Sequence, residues 1–378
     1  MGSIIAGDPH EAPQLDPGGY YRGSGVAPSA QLVLAKVGPP NETPHVGLMT
    51  PDKWASLVAQ VNSLGNPNWA GTVRIANNSW NLKRGANSNY DEYTLFSVQA
   101  DTLVRDADAD PVNGLQETSM VFSVGNCRTT IVLCSAASPG NAKNVVSIGS
   151  SRGWSEGTNE ADDECNDWWH SISDIAGFEG YNADPWSRRE FPTEPERFKP
   201  DLVAPGSQVA AARSSNFDFD PETNLHHCFW GTSASAPAAT GAAVLAEAWY
   251  WHTFDHELPS PAMIKAMLVA TADDLHGGHD HKTGASLPHS PSIAQGWGRV
   301  NLDTLIPDGS PPTSPAVAVF DQDHGAAGRR FTANKQYWSV QLQVVNPAED
   351  VIAVLVFTDA PSQTNAPVSY THLRAHET

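Results

Sequence analysis

The sequence predicts an α/β fold built on a mostly parallel sheet with helices on both faces. Strand-like apolar runs alternate along the chain with segments of helical spacing, which is the pattern of such folds. Hydrophobic residues make up 40% of the chain and include 12 Trp and 12 Phe, enough for a sizeable core. With 378 residues, the chain has room for one large domain and the beginning of a second.

Composition limits the class of partner. A formal net charge of −20 argues against nucleic acid, because phosphate binding needs clustered Lys and Arg. The sequence has no run of about eighteen apolar residues, so we expect no membrane span. Its cysteines form no Cys-x-x-Cys pair, which indicates neither a zinc ribbon nor a redox motif. One disulfide, two disulfides and free thiols all stay open for Cys127, Cys134, Cys165 and Cys228.

The first elements can be placed from turn and cap signals. Residues 25–30 form a turn, and residues 31–37 (QLVLAKV) predict a buried strand. A helix begins next, with Thr50 as its N-cap and Pro51 at its first position. Its apolar positions have helical spacing and serve core packing, and Gly65 ends it.

Two strands and a helix follow. Residues 73–81 predict a strand that leaves the core. Residues 93–106 predict a helix whose apolar side is formed by Leu95, Phe96, Leu103 and Val104. Residues 120–124 predict a buried strand, and the pair Gly125-Asn126 ends it.

The second half contains a further strand, a helix and two polar stretches. Residues 138–149 predict a turn and a core strand, and Ser260-Pro261 opens a helix. Residues 151–198 are acidic and Trp-rich, and we interpret them as a solvated surface insertion because no EF-hand spacing is present. Residues 276–281 (HGGHDH) favour a polar surface loop over a metal site, since no fourth ligand stands at a recognisable spacing.

Residues 231–237 (GTSASAP) carry the strongest chemical signal. Ser233 lies between small residues that allow a substrate backbone to approach, at the start of an alanine-rich helical stretch. A helix N-terminus supplies free N–H groups and a positive dipole end, which suit a nucleophile. The alternative is that Ser233 merely caps a buried helix.

The pattern Gly-Thr-Ser-x-Ser-x-Pro resembles the nucleophile motif of the subtilisin-like serine peptidases. The resemblance covers residues 1–306 and implies a three-layer subtilisin-like fold. It also implies peptide-bond hydrolysis through an acyl-enzyme on Ser233, with no cofactor required and structural calcium left open. Further resembling stretches occur in family order at residues 2–7, 25–37, 73–81, 138–149, 199–206 and 296–303.

The resemblance also implies the residues around the nucleophile. Asn126 would supply the side-chain amide of the oxyanion hole, together with the main-chain N–H of Ser233. The family usually has Gly where Asn81 stands, so the Asn side chain would narrow the pocket for the residue before the scissile bond. The substrate-lining residues that the resemblance implies are Ser79, Trp80, Asn81, Ser123, Val124, Gly125 and Thr232.

Residues 2–7 resemble the stretch that directly follows the catalytic histidine of the family. We therefore expect the catalytic Asp and His upstream of Met1, and we expect the polypeptide alone to be inactive. Two alternatives stay open: a peptide-binding pseudo-peptidase that begins at Met1, and a secreted adhesion or scaffold module. The intact serine motif and Asn126 count against both, because a binding protein has no need of an oxyanion hole.

The C-terminal part predicts a second, incomplete domain. Residues 307–315 are a Pro-, Ser- and Gly-rich linker, and residues 316–368 resemble the start of a β-sandwich. Alternation over residues 338–344 predicts a half-buried strand, and residues 351–357 predict another. Residues 369–378 resemble a translated adapter tail and are left out of the fold. We expect a secreted monomer that acts on protein or peptide substrates.

Overall fold

A parallel four-stranded sheet forms the centre of the computed structural model, with the strands in the order β1-β2-β3-β4. These strands are β1 (Ile75–Asn78), β2 (Ser119–Ser123), β3 (Val146–Ser151) and β4 (Leu202–Pro205). The helices are α1 (Gly2–Ala6), α2 (Pro51–Ser63), α3 (Leu95–Arg105), α4 (Thr232–Thr253) and α5 (Pro261–Ala270). The residues that the structure describes are 1–8, 24–35, 50–63, 73–82, 93–107, 116–127, 134–152, 183–184, 186–189, 198–207, 209–212, 226–306, 317–321, 337, 339–341, 343, 351–364 and 372–377.

The sheet is covered on both faces, which confirms the α/β prediction. In β2, Val121 packs in the cluster that contains the α4 and α5 side chains. Its neighbours Met120 and Phe122 belong to the opposite cluster, with side chains of α2 and α3. Successive strand residues point to opposite faces, so one buried strand serves both layers. The alanines of α4 let that helix approach the sheet closely, and Ala239 is 0% exposed.

The predicted helix starts are confirmed. Thr50 Oγ1 accepts from the N–H of Lys53 at 3.3 Å, with Pro51 as the first helical residue. Ser260 Oγ accepts from the N–H of Met263 at 3.1 Å at the start of α5. In α3 three of the four predicted apolar positions are buried, but Leu95 is 63% exposed because it lies in the first turn, beside the cap Thr94. The predicted stop at Gly65 lies outside the described residues.

The predicted buried strand at residues 31–37 is wrong for the part that is described. Residues 31–35 form no strand, and Leu34 is 81% exposed. An apolar run becomes a strand only when another strand accepts its backbone hydrogen bonds. Within the described ranges, no strand pairs with residues 31–35, and β1 pairs with β2 alone.

The prediction of a solvated insertion at residues 151–198 is wrong at its C-terminal end. Ala183 and Ser187 are 0% exposed, and Arg189 is 1% exposed. These residues are buried because they pair with the rest of the fold. Ala183 forms bridges with both β3 and Asp280, and Ser187 forms a bridge with Asn126. Residues 153–182, 185 and 190–197 lie outside the described part of the chain.

The polar stretch at residues 276–281 is only partly a surface loop. His276 is exposed, as predicted, but Asp280 is 5% exposed. The stretch enters β7 (His279–Asp280), which pairs with β8 (Ala285–Ser286). The buried carboxylate of Asp280 is compensated by the guanidinium of Arg189, so this burial depends on a contact distant in sequence.

Two further hairpins complete the described structure. One pairs β5 (Val209–Ala212) with β6 (His226–Phe229). The other pairs β9 (Val351–Val356), which confirms the strand predicted at residues 351–357, with β10 (His372–Glu377). The predicted tail, residues 369–378, therefore contains a strand, β10, that pairs with β9.

The alternating strand predicted at residues 338–344 is wrong where it is described. Residues 339–341 and 343 form no strand and are exposed, and Val340 is 43% exposed. Trp338, Leu342 and Val344 lie outside the described residues. Among the helices that the structure describes, none is long and apolar enough to span a membrane.

Candidate active site

Ser233 is the second residue of α4, at the carboxyl edge of the sheet. The N-cap of this helix is Gly231, whose φ of 93° lies in the left-handed region that favours glycine. The alternative that Ser233 merely caps the helix is therefore wrong. Gly231 donates its N–H to the carbonyl of Gly206 at 2.6 Å, which fixes the serine loop to the end of β4. Ser233 itself is half-buried.

Asn126, the candidate oxyanion residue, contacts the same helix start. Its Oδ1 accepts from the main-chain N–H of Thr232 at 3.0 Å and from the Thr232 hydroxyl at 2.8 Å. Two donors on one oxygen assign the amide orientation and leave Nδ2 as the remaining donor. A Cβ on Gly231 would lie 2.8 Å from this Nδ2, so the glycine allows the close approach. Asn126 is exposed, whereas its neighbours in sequence are buried.

Ser79 connects the end of β1 to the serine loop. Its hydroxyl donates to the carbonyl of Ser233 at 3.1 Å, and the Ser233 hydroxyl donates to the carbonyl of Ser79 at 3.4 Å. The next residue, Trp80, packs edge-on against Trp54 with ring centroids 5.4 Å apart, inside the aromatic cluster under the site. The packing of the Trp80 side chain in this cluster thus holds the end of β1 in place.

The second stretch that the sequence predicts to line the substrate, residues 123–125, is more deeply buried than residues 79–81. Ser123 and Val124 are both 0% exposed. Val124 donates its N–H to Ile148 and accepts from Ala137 through its carbonyl, so both main-chain groups are used within the protein. Gly125, with a φ of 98°, turns the chain out of the sheet towards Asn126.

Sequence reasoning missed the segment 186–189, which runs along Asn126, the candidate oxyanion residue. Ser187 forms an antiparallel bridge with Asn126, and Cys127 donates its N–H to the carbonyl of Trp186. Arg188 donates from Nε to the carbonyl of Asn126 at 3.3 Å. The available signal was a pair of adjacent arginines, Arg188-Arg189, within an otherwise acidic insertion.

A disulfide begins at the residue directly after Asn126. Of the pairings left open by the sequence, the structure contains Cys127–Cys134, with Cα atoms 5.9 Å apart. The bond joins two residues that are 7 positions apart, and the first of them is the neighbour of Asn126. Cys165 lies outside the described residues.

No general base is in place at Ser233 within the described ranges, where no histidine hydrogen-bonds to its hydroxyl. An Asp–His pair does occur elsewhere: His289 Nδ1 lies 2.7 Å from Asp274 Oδ2, and the His289 ring stacks on His276. Asp274, His276 and His289 all belong to the loops after α5. In the same described part, no group of three or more His, Cys, Asp or Glu side chains is placed to hold a metal ion.

Comparison with known proteins gives consistent matches. The chain is 27% identical over 218 residues to the serine protease/ABC transporter B family protein tagB of Dictyostelium discoideum, covering 46% of this chain and 11% of that protein. It is 37% identical over 93 residues to the subtilisin-like protease SBT5.3 of Arabidopsis thaliana, covering 22% of this chain and 11% of the relative. The chain thus spans about a tenth of the length of these curated relatives.

Solved structures of proteases are also similar. The patellamide maturation protease PatA matches with a TM-score of 0.46 and 16% identity, over 80% of this chain and 79% of that one. A protease from Pseudoalteromonas arctica matches with a TM-score of 0.44 and 18% identity, over 74% of this chain and 62% of that one. The model of the subtilase family matches residues 1–298. That match covers most of the chain, which therefore belongs to the subtilase family.

Proposed function

We propose that this chain carries the nucleophile and oxyanion hole of a serine endopeptidase. Ser233 Oγ attacks the scissile carbonyl and forms an acyl-enzyme, which water then hydrolyses. The observation that supports this proposal best is the pair of hydrogen bonds from Thr232 to Asn126 Oδ1, at 3.0 and 2.8 Å. They join a strand end and a helix start that lie 106 residues apart in the sequence.

The role of Asn126 follows from how its amide is held. Negative charge develops on the carbonyl oxygen during attack, and a donor that is already oriented stabilises it without reorganisation. Thr232 occupies Oδ1, so Nδ2 is the group available to the oxyanion, with the Ser233 main-chain N–H as the second donor. Loss of one such donor typically lowers turnover by about 10²–10³.

The substrate would bind as an added strand at the end of β1. The main chain at residues 79–81 lies next to Ser233, since each of Ser79 and Ser233 donates a hydroxyl hydrogen bond to the carbonyl of the other. The Trp80 ring packs into the aromatic cluster. An extended peptide would therefore contact the backbone here, which is the mode of β-strand addition.

The proton acceptor is not supplied by the described residues. A serine without its base is a poor nucleophile, so we expect this polypeptide to hydrolyse peptides only at a trace rate. In this proposal the Asp and His that complete the site come from outside the described residues, and the protein is secreted.

Slow covalent labelling tests the proposal on the chain as it exists. We expect a fluorophosphonate to label the protein over hours, with one adduct by intact mass and Ser233 as the labelled peptide. Ser233→Ala should abolish the adduct, and Asn126→Ala should slow its formation. Ser235→Ala is the matched control, because that side chain is 0% exposed and should leave labelling unchanged.

Two outcomes would contradict the reasoning. Labelling that persists in Ser233→Ala would remove Ser233 as the nucleophile. Labelling of the unmodified chain within seconds would show that a base is present after all, and the expectation of trace activity would be wrong.

A further inference from the structure

The segment that follows β9 is attached to the α/β fold by polar contacts. The side-chain amide of Asn144 pairs with both main-chain groups of Asp359: Nδ2 donates to its carbonyl at 2.8 Å, and Oδ1 accepts from its N–H at 3.0 Å. The buried Lys143 forms an ion pair with the Asp359 carboxylate at 2.7 Å and also donates to the carbonyl of Ala360. We call residues 359–362 the clasp.

The residues that hold the clasp are themselves held by one buried carboxylate. Asp101, in α3, is 0% exposed. Its Oδ1 accepts from the N–H of Asn144 at 2.7 Å, and its Oδ2 accepts from the N–H of Lys143 at 3.2 Å and from the Tyr93 hydroxyl at 2.5 Å. The Tyr93 oxygen in turn accepts from the N–H of Ser362 at 3.2 Å. The clasp therefore binds polar groups that α3 already orients.

The loop 137–144, which ends in two of the clasp-binding residues, also contacts both stretches that are predicted to line the substrate. At its start, the carbonyl of Ser138 accepts from the N–H of Leu82 at 2.9 Å, and Leu82 directly follows the first lining stretch. Ala137 donates its N–H to the carbonyl of Val124, in the second stretch, at 3.0 Å. Every residue of the loop is buried, and a close-packed interior transmits a shift at one end to the other.

We propose that the clasp is a positioning element for the substrate groove, which comprises residues 79–81 and 123–125. With the clasp closed, the loop 137–144 holds both stretches in the conformation that accepts an extended peptide. This inference rests on the proposed function. The C-terminal segment then raises peptide affinity without contacting the peptide. Because coupling between two sites is reciprocal, a bound peptide stabilises the closed clasp by the same factor.

Amide hydrogen exchange on the full chain measures whether the clasp is closed. Asp359 is the residue to change, because its side chain is 35% exposed and a substitution there leaves the core intact. Asp359→Lys places a second cation against Lys143 and should open the clasp, whereas Asp359→Asn keeps the size, removes the charge and should open it less. In Asp359→Lys we expect the Ser362 N–H to exchange about tenfold faster or more, while the amides of α4 exchange as before.

Peptide affinity is the functional readout, and it needs no catalysis. The probe is a fluorescein-labelled hexapeptide of alanine and valine, titrated by anisotropy. If only the closed state binds, the apparent affinity falls with the closed fraction, so Asp359→Lys should weaken binding about fivefold or more and Asp359→Asn should weaken it less. In the unmodified chain, saturating peptide should slow exchange of the Ser362 N–H. Asp303→Lys makes the same substitution at an exposed position outside the clasp and should change neither quantity.

A clasp that only attaches the C-terminal segment gives a different result. Exchange of the Ser362 N–H would then rise in Asp359→Lys while peptide affinity stays within about twofold, and that result would overturn the inference alone, because peptide binding and Ser233 labelling would still support a peptidase. Exchange of this N–H that responds neither to Asp359→Lys nor to the peptide would overturn it as well. Failure of the peptide to bind the unmodified chain would overturn the proposed substrate groove and this inference with it.

Discussion

The variant Arg189→Met should unfold at a markedly lower temperature than the unmodified protein. The guanidinium makes two parallel hydrogen bonds to Asp280, from Nη1 to Oδ2 and from Nη2 to Oδ1, each 2.7 Å long. The two side chains are 1% and 8% exposed. Arg189→Met keeps the apolar volume of the side chain and leaves the carboxylate buried without its cation.

The magnitude follows from what Asp280 retains. Removal of one partner of a buried pair costs about 3–5 kcal/mol. Asp280 still accepts from the Thr283 hydroxyl at 2.7 Å and from the Lys282 N–H at 3.0 Å, so we expect a cost at the lower end, about 3 kcal/mol. At roughly 2–4 °C per kcal/mol for a domain of this size, the melting temperature should fall by about 6–12 °C.

The pH dependence identifies the cause. Burial raises the pKa of Asp280, but the hydrogen bonds and charge of Arg189 outweigh it, and the pKa is lowered. Its contribution to stability is therefore present above the unfolded carboxyl pKa of about 3.9 and is lost as the pH falls through the folded value. In Arg189→Met, burial would raise the pKa instead, and stability would be lost as the pH rises. The difference between the two proteins should thus be large at pH 7 and shrink towards pH 4.

Thermal and urea unfolding from pH 7 to pH 4 measure this difference. The double variant Arg189→Met/Asp280→Leu is the matched control, because an apolar pair of similar volume should regain most of the stability. A loss below about 1 kcal/mol that stays constant with pH would refute the argument that the buried pair holds this segment in place.

Three further perturbations have defined outcomes. Gly206→Ala places a Cβ 2.1 Å from Ser235 Oγ and should cost about 1–3 kcal/mol in urea unfolding, since the backbone around the serine loop must shift. Thr94→Ala removes the hydroxyl that caps α3 and should cost about 1 kcal/mol, measured in the same way. Reduction of Cys127–Cys134, separated by 7 residues, should lower stability by about 2–3 kcal/mol in melts with and without dithiothreitol.

Features decided by local sequence could be predicted. The caps Thr50 and Ser260 act within three residues, so the sequence contains both partners of each bond. The strand at residues 31–37 depends on a neighbour that hydropathy does not specify, and there the prediction failed. Burial of Arg189 depends on Asp280, 91 residues further along the chain, and a window of sequence cannot contain that pair.

The candidate site likewise has features that local sequence predicts and features that depend on contacts distant in the sequence. Ser233 is identifiable because its motif is contiguous, and Asn126 because a Gly-Asn pair ends a buried strand. The orientation of the Asn126 amide is set by Thr232, a contact across 106 residues. Nothing in the sequence near Arg188 indicates that its side chain would lie beside Gly125, since that placement follows from the bridge between Ser187 and Asn126.

Arg188 and Arg189 are adjacent in the sequence and have different partners. Successive residues of an extended segment point to opposite sides, so Arg188 lies beside Gly125 and Arg189 meets Asp280. A slip of one residue would exchange the two side chains. The buried pair of Arg189 with Asp280 therefore fixes the register that places Arg188 beside Gly125.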